Sequence, residues 1–294
     1  ETMLREAKKF DESVVLHVKT KKGKGYEPAE KKEAKALTAR RQTRYHERGR
    51  PRKQKIELGG DFMNAENKEL LALFEPLRVA DVRDGMDWMG YHHYGTMDHG
   101  IRPIYRTKAV GIARTARYLP FEGPVPNRRG EEYTKWSGWY YGNVATYPWM
   151  EEIEEGDFIA LDVSGVDVGL MGSANTLSCK IKDARGIVTN GGGIRDTDEC
   201  ILQKIPVWSY FVSQKMDQCR IRFAEKNVPV AIGGVAVYPG DVIVADGDGV
   251  IVVPRAVAKD VAKFASRELR NDKKDRRGMY ETLGWELDDT VQGD

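Results

Sequence analysis

The residues best suited to chemistry lie in one short run, Thr189-Asn190-Gly191-Gly192-Gly193-Ile194-Arg195-Asp196-Thr197-Asp198-Glu199. Residues 186–189 are apolar and read as a strand that ends on three consecutive glycines. Glycine permits φ > 0 and lets a ligand come close to the main chain. The pair Arg195-Asp196 follows, at the predicted start of a helix. An Arg guanidinium is a planar fork that matches a carboxylate. A carboxylate such as Asp196 is the hard oxygen donor that Mg²⁺ prefers. Side by side, the two could hold an acidic substrate and a divalent cation. The competing reading is a surface ion pair, with Asp196 or Asp198 interacting with the helix dipole.

A second candidate is Gly172-Ser173-Ala174-Asn175, at another strand-to-helix transition. Its backbone amides could bind a carboxylate, or Ser173 or Asn175 could be an ordinary N-cap. Asp246-Gly247-Asp248-Gly249 lacks the remaining ligands of a calcium loop and reads as a tight hairpin. His92, His93 and His99 cluster, but at no zinc-site spacing. Gly233-Gly234-Val235 is not a dinucleotide fingerprint, and no phosphate-binding loop or nucleophile elbow is present.

These residues need a scaffold of strands and helices. Residues 64–74 carry Leu70, Leu71, Leu73 and Phe74 at helical spacing, and a second helix is expected after Pro76. Strands are expected over residues 110–116, 157–163, 186–189, 207–212, 228–237, 241–245 and 250–253. Helices are expected over 173–183, 197–203 and 256–271. β-Branched strands alternating with helices argue an α/β domain with some parallel pairing. Residues 120–147 read as a long polar loop rich in aromatics, including Trp136, Trp139, Tyr140 and Tyr141. Such a stretch serves either function or a subunit contact.

The formal charge of +2 conceals an imbalance. Residues 1–60 hold 18 Lys/Arg against 9 Asp/Glu, which leaves the remaining residues acidic. This basic extension, with a helical patch near residues 27–41, lacks the aromatic interleaving and motifs of a nucleic-acid binder, so nucleic acid is not an expected partner. Packing on a neighbouring subunit explains it more simply. No apolar run reaches membrane-spanning length, and the first ten residues have no signal-peptide core. Cys179, Cys200 and Cys219 have neither pairing number nor CxxC spacing. Together these features predict a cytoplasmic protein without a membrane segment.

Residues 186–199, Lys204-Ile205-Pro206-Val207 and the run from Val228 to Pro254 resemble the family of the regulator of ribonuclease activity A. That family includes the class II 4-hydroxy-4-methyl-2-oxoglutarate aldolases, and some members carry an old demethylmenaquinone methyltransferase label. Residues 77–90, 97–105 and 154–165 are similar to its upstream segments. The resemblance covers about residues 70–275. It divides the chain into a basic extension (1–60), a family domain (61–275) with an aromatic insertion near 120–147, and a C-terminal tail (276–294).

The resemblance implies a three-layer swivelling β/β/α domain, a homotrimer or hexamer, and active sites between subunits. It implies a Mg²⁺- or Mn²⁺-dependent carbon–carbon lyase acting on a small 2-oxo acid. Pyruvate would be released by retro-aldol cleavage, and oxaloacetate decarboxylation would follow from the same enolate chemistry. Arg195 would bind substrate and stabilise the enolate, and Asp196 would ligate the metal. Gly172, Ser173, Ala174 and Asn175 would help bind substrate. Glu268 of a neighbouring subunit, with Asp272 second, would supply a further acid. Ser173 stands where the aldolases carry an acidic residue, a departure that bears on metal affinity and substrate. Two further readings stay open: a lyase or hydratase acting on another hydroxy acid or sugar-derived acid, and a non-catalytic protein-binding regulator.

Overall fold

The computed structural model describes residues 64–292. The basic extension and its helical patch lie outside them. Helix α1 (Ala65–Phe74) starts where Asn64 accepts a bond from the Asn67 amide at 2.7 Å. Helix α2 (Val79–Trp88) follows, and its first amide, Val79 N, donates to Asp246 Oδ2 at 2.9 Å.

Strands β1 (Arg102–Pro103), β2 (Ala109–Pro120), β3 (Asp157–Asp162), β4 (Gly186–Thr189) and β5 (Val207–Ser209) share one sheet with β6 (Ile221–Lys226), β9 (Val242–Ala245) and β10 (Val250–Val253). The order is β1-β5-β4-β3-β2-β9-β10, and β6 also pairs with β2. Strands β2 to β5 run parallel. Helix α4 (Ser173–Ile181) joins β3 to β4, and α5 (Thr197–Leu202) joins β4 to β5. Those crossovers leave both helix N-termini at the carboxyl ends of the parallel strands, where open α/β sheets bind ligands.

Alternate residues of the strands face opposite layers. Val110, Ile112, Val242, Val244, Ile251 and Val253 pack against α1, α2 and α6 (Ala258–Leu283). Further along the same face, Tyr118, Ile159, Leu161 and Ile187 pack with Cys179 of α4 and Cys200 of α5. The other face, with Phe158, Val188, Trp208, Ile243 and Val252, packs against the hairpin β7 (Val230–Ile232) and β8 (Val235–Val237). Hairpin, sheet and helices form the three layers, β/β/α, that the resemblance implies.

The structure departs from the sequence reading in several places. The stretch read as a long loop contains helix α3 (Gly130–Asn143). Residues 228–237 are two strands, not one, because Gly233 and Gly234 turn at φ +56° and +79°. Strand β6 was not expected. Strand β5 stops at Ser209, and Val212 makes only a single bridge, to Ile194. Helix α6 runs on to Leu283, so the start of the segment set apart as a tail is helical. Among the described residues no helix is long and apolar enough to cross a membrane. The three cysteines are unpaired.

The Asp246 turn is the expected hairpin, and it also caps α2. Its second carboxylate oxygen accepts from Asp248 N at 2.8 Å. Asp246→Ala should therefore lower stability by about 1–2 kcal/mol, the usual cost of losing an N-terminal acceptor. Urea unfolding checks this, and a loss too small to resolve would refute the capping role.

Candidate active site

The glycine run is fastened into the sheet region on both sides. Met171 N donates to Gly193 O and Arg195 N to Met171 O, both at 2.9 Å, and Ser213 N donates to Ile194 O at 3.0 Å. Ile194 itself is fully buried. Gly193 is required twice over: its φ is +39°, and a Cβ there would lie 2.1 Å from the Thr189 side chain.

Asp196 begins α5 in the left-handed conformation, φ 55° and ψ 44°. Asp tolerates that region better than most residues. Its side chain does not cap its own helix. Instead Oδ1 accepts from Arg195 Nε and Oδ2 from Ser173 N, each at 3.2 Å. The carboxylate reaches the N-terminus of α4 only because residue 172 is glycine; a Cβ there would lie 2.5 Å from Asp196 Oδ2. The two sequence-predicted groups are thus joined by one carboxylate.

Neither Ser173 nor Asn175 is an N-cap. Gly172 holds that position, and Asn175 Nδ2 turns back to Leu170 O at 3.3 Å. Ser173 N is taken up by Asp196, while the next two amides of the first turn, those of Ala174 and Asn175, have no acceptor within the helix.

Arg195 and Asp196 line a cleft of about 400 Å³ with Gly172, Ala174 and Asn175. Six residues that the sequence reading did not assign to the site complete it, Gly169, Leu170 and Met216 among them. Tyr141, Tyr147 and Asp217 line the same cleft. Asp217 is only 2% exposed, and its Oδ2 accepts from the Tyr147 hydroxyl at 2.9 Å. The Tyr141 hydroxyl acts on the same carboxyl electrostatically. Burial raises the Asp217 pKa, opposed by these hydroxyls and by the charge of Arg195. Burial and then Asp217 push both phenols far above their ordinary range, so they remain protonated donors. Tyr141 lies in the aromatic stretch that the sequence marked for function or contact; nothing in the residues around Asp217 singled it out.

Glu268 and Asp272 are not part of this chain's cleft. Both sit on α6, Glu268 paired with Arg267 at 2.9 Å and Asp272 with Arg78 at 3.1 Å. The histidines form no site either: among the described residues no group of three or more His, Cys, Asp or Glu could hold a metal ion. The donor present, one half-exposed carboxylate with lone pairs to spare, suits a cation that keeps most of its own waters.

A model of the RraA-like family, described as Aldolase/RraA, matches residues 79–252. The chain belongs to the RraA-like family. The matched span includes the whole cleft, α3 among it. This RraA-like chain is 27% identical over 184 residues to Protein DlpA of Legionella pneumophila, 62% of this chain and 27% of the relative. The match thus spans about a quarter of that relative's length. It is 28% identical over 147 residues, 48% of this chain and 67% of the relative, to a Halalkalibacterium halodurans protein named "Putative 4-hydroxy-4-methyl-2-oxoglutarate aldolase". Among solved structures, RraAS2 of Streptomyces coelicolor, titled an unusual member of the RNase ES inhibitor RraA family, superposes with a TM-score of 0.58 at 24% identity. That comparison covers 74% of this chain and 99% of the other, and supports the fold of this RraA-like protein.

Proposed function

We propose that the chain is a Mg²⁺- or Mn²⁺-dependent lyase that cleaves a carbon–carbon bond in a 2-oxo acid and releases pyruvate. One observation carries this reading: Arg195 and Asp196 face a single cleft together with the N-terminus of α4. Arg195 uses Nε on Asp196, and its two terminal nitrogens would meet the substrate. There they would stabilise the charge that develops on the 2-oxo oxygen as an enolate forms. The amides of Ala174 and Asn175 would take the substrate carboxylate. Asp196 would hold the metal. When bound, the cation acts as a Lewis acid toward the 2-oxo acid. Ser173 brings no charge, so Asp196 is the carboxylate that α4 and α5 share.

A homotrimer or hexamer is part of the proposal. Leu177, Ile181, Ile201 and Leu202 stand exposed on α4 and α5, an apolar surface beside the site that a second subunit would cover. Glu268 takes part only across such a boundary. A second reading, a related lyase or hydratase working on a more hydroxylated or sugar-derived acid, is favoured by one feature. The cleft lining adds hydrogen-bonding groups, Tyr141, Tyr147 and Asp217, to the Arg195-Asp196 pair.

The test is pyruvate release from 4-hydroxy-4-methyl-2-oxoglutarate and from oxaloacetate, with Mg²⁺ or Mn²⁺ and again with EDTA. Release that stops when the metal is chelated is the expected result. No release from either acid overturns the pyruvate-lyase reading.

A further inference from the structure

A buried carboxylate is costly unless its hydrogen bonds are met. Asp217 is buried, yet among the described residues it pairs with no Arg or Lys at contact distance; its side-chain hydrogen-bond partner is the hydroxyl of Tyr147. Tyr147 lines the cleft, as does Tyr141. The backbone of Asp217 is fixed as well, since its carbonyl accepts from Arg220 N at 3.0 Å and Ile221 N at 3.3 Å. Tyr147 is held in turn between Asp217 and Leu170 O, the latter at 3.2 Å. The result is a carboxylate on the cleft wall, held by the Tyr147 hydroxyl and sharing the cleft with Arg195.

A single hydroxyl donor leaves lone pairs on a carboxylate that can accept about four bonds. The complementary ligand group is therefore a donor, such as a substrate hydroxyl. In a retro-aldol reaction that hydroxyl must lose its proton as the bond breaks, and chain residues placed for this contribute about 10²–10⁴-fold. Arg195 and the α4 amides cannot accept a proton, and Ser173 carries no charge to offer one a place.

We propose that Asp217, aligned by Tyr147, is a catalytic residue that takes the proton of the substrate's 4-hydroxyl. This rests on the lyase reading above. As the proton passes to Asp217, the O–H pair becomes the carbonyl bond of the leaving fragment. The C3–C4 pair becomes the double bond of the pyruvate enolate, with its charge on the oxygen beside Arg195. Asp217 then returns the proton to C3. No proton is gained or lost overall, and the device selects acids that carry a hydroxyl two carbons from the 2-oxo group. Tyr147 is a positioning residue.

Oxaloacetate separates this role from a structural one, because its decarboxylation forms the same enolate with no hydroxyl to deprotonate. In Asp217→Asn, kcat for retro-aldol cleavage of 4-hydroxy-4-methyl-2-oxoglutarate should fall by at least about 100-fold. Decarboxylation should fall less than a tenth as much. Tyr147→Phe, which keeps the ring and removes the hydroxyl, should shift the ratio of the two activities in the same direction by a smaller factor. It serves if Asp217→Asn does not fold. Equal losses in both reactions, or an undiminished retro-aldol rate, overturn the assignment. A wild-type chain that decarboxylates oxaloacetate but does not cleave the hydroxylated acid overturns it too, while leaving the lyase reading in place. A wild-type chain inactive on both acids overturns the lyase reading itself.

Discussion

Replacing Asp196 with Ala should reduce metal-dependent pyruvate release by about 10³-fold, roughly 4 kcal/mol of barrier. The carboxylate occupies three relationships at once. It faces the cleft, accepts from Arg195 Nε and accepts from the first amide of α4. Its loss removes the proposed cation donor and frees Arg195 to swing away from the position in which it meets substrate. The fold should survive, because the side chain is partly exposed and caps no helix of its own. Asp196→Asn is the companion variant. Asn also tolerates the left-handed backbone at this position, so it separates loss of charge from backbone strain. Mn²⁺ binding followed by electron paramagnetic resonance gives a readout independent of turnover, and both variants should lose it. A folded Asp196→Ala protein that turns over at the wild-type rate would remove the pair from the mechanism.

Trp208→Ala should lower stability by about 3–5 kcal/mol. Trp208 is fully buried on β5, with its ring centroid 5.7 Å from that of Phe158. Its indole nitrogen donates to Asp246 O at 2.9 Å, which ties the parallel half of the sheet to the β9–β10 turn. Truncation leaves a void in the layer under the β7–β8 hairpin and an unpaired carbonyl. Trp208→Phe should recover part of the loss, as it refills volume but not the bond. Urea unfolding measures both, and a cost below about 1 kcal/mol for the Ala variant would mean that this layer collapses around the gap.

Much of this architecture was legible because its signals are local. The glycine run, the β-branched segments after it and the amphipathic helices flanking the domain each announce their own conformation. What was missed depends on neighbours. Strand β6 reads as a polar segment, Ile221-Arg222-Phe223-Ala224-Glu225-Lys226, because it only pairs with the end of β2 and stays partly exposed. Helix α3 holds Gly130, Gly138 and Gly142 and turns aromatics to several sides, which hides a 3.6-residue period. Tertiary contacts sustain it: Tyr140 is fully buried and donates to Ile221 O at 2.6 Å. The same holds for the site. Arg195 and Asp196 stand next to each other in sequence and could be read there. Asp217 lies some twenty residues further on in an unpatterned stretch, and only the fold brings it to the tyrosines. The two uses weighed for the aromatic stretch, function and contact, are not exclusive: Tyr141 lines the cleft while Trp139 remains exposed.

The two bridges that Ile194 makes, to Met171 on one side and Val212 on the other, have an evolutionary consequence. The reactive pair sits on a rung of backbone that cannot relax without loosening its neighbours, so this half of the cleft is a poor place to accept innovation. The opposite lining comes from α3 and the segment before β6, pieces whose sequence the sheet does not dictate. A lineage could therefore lose or relocate the proton acceptor at Asp217 by rewriting that half, and with it the preference for a hydroxylated acid, while inheriting the Arg195-Asp196 pair unaltered; chimeras cut at those boundaries would be the natural way to retrace such a history.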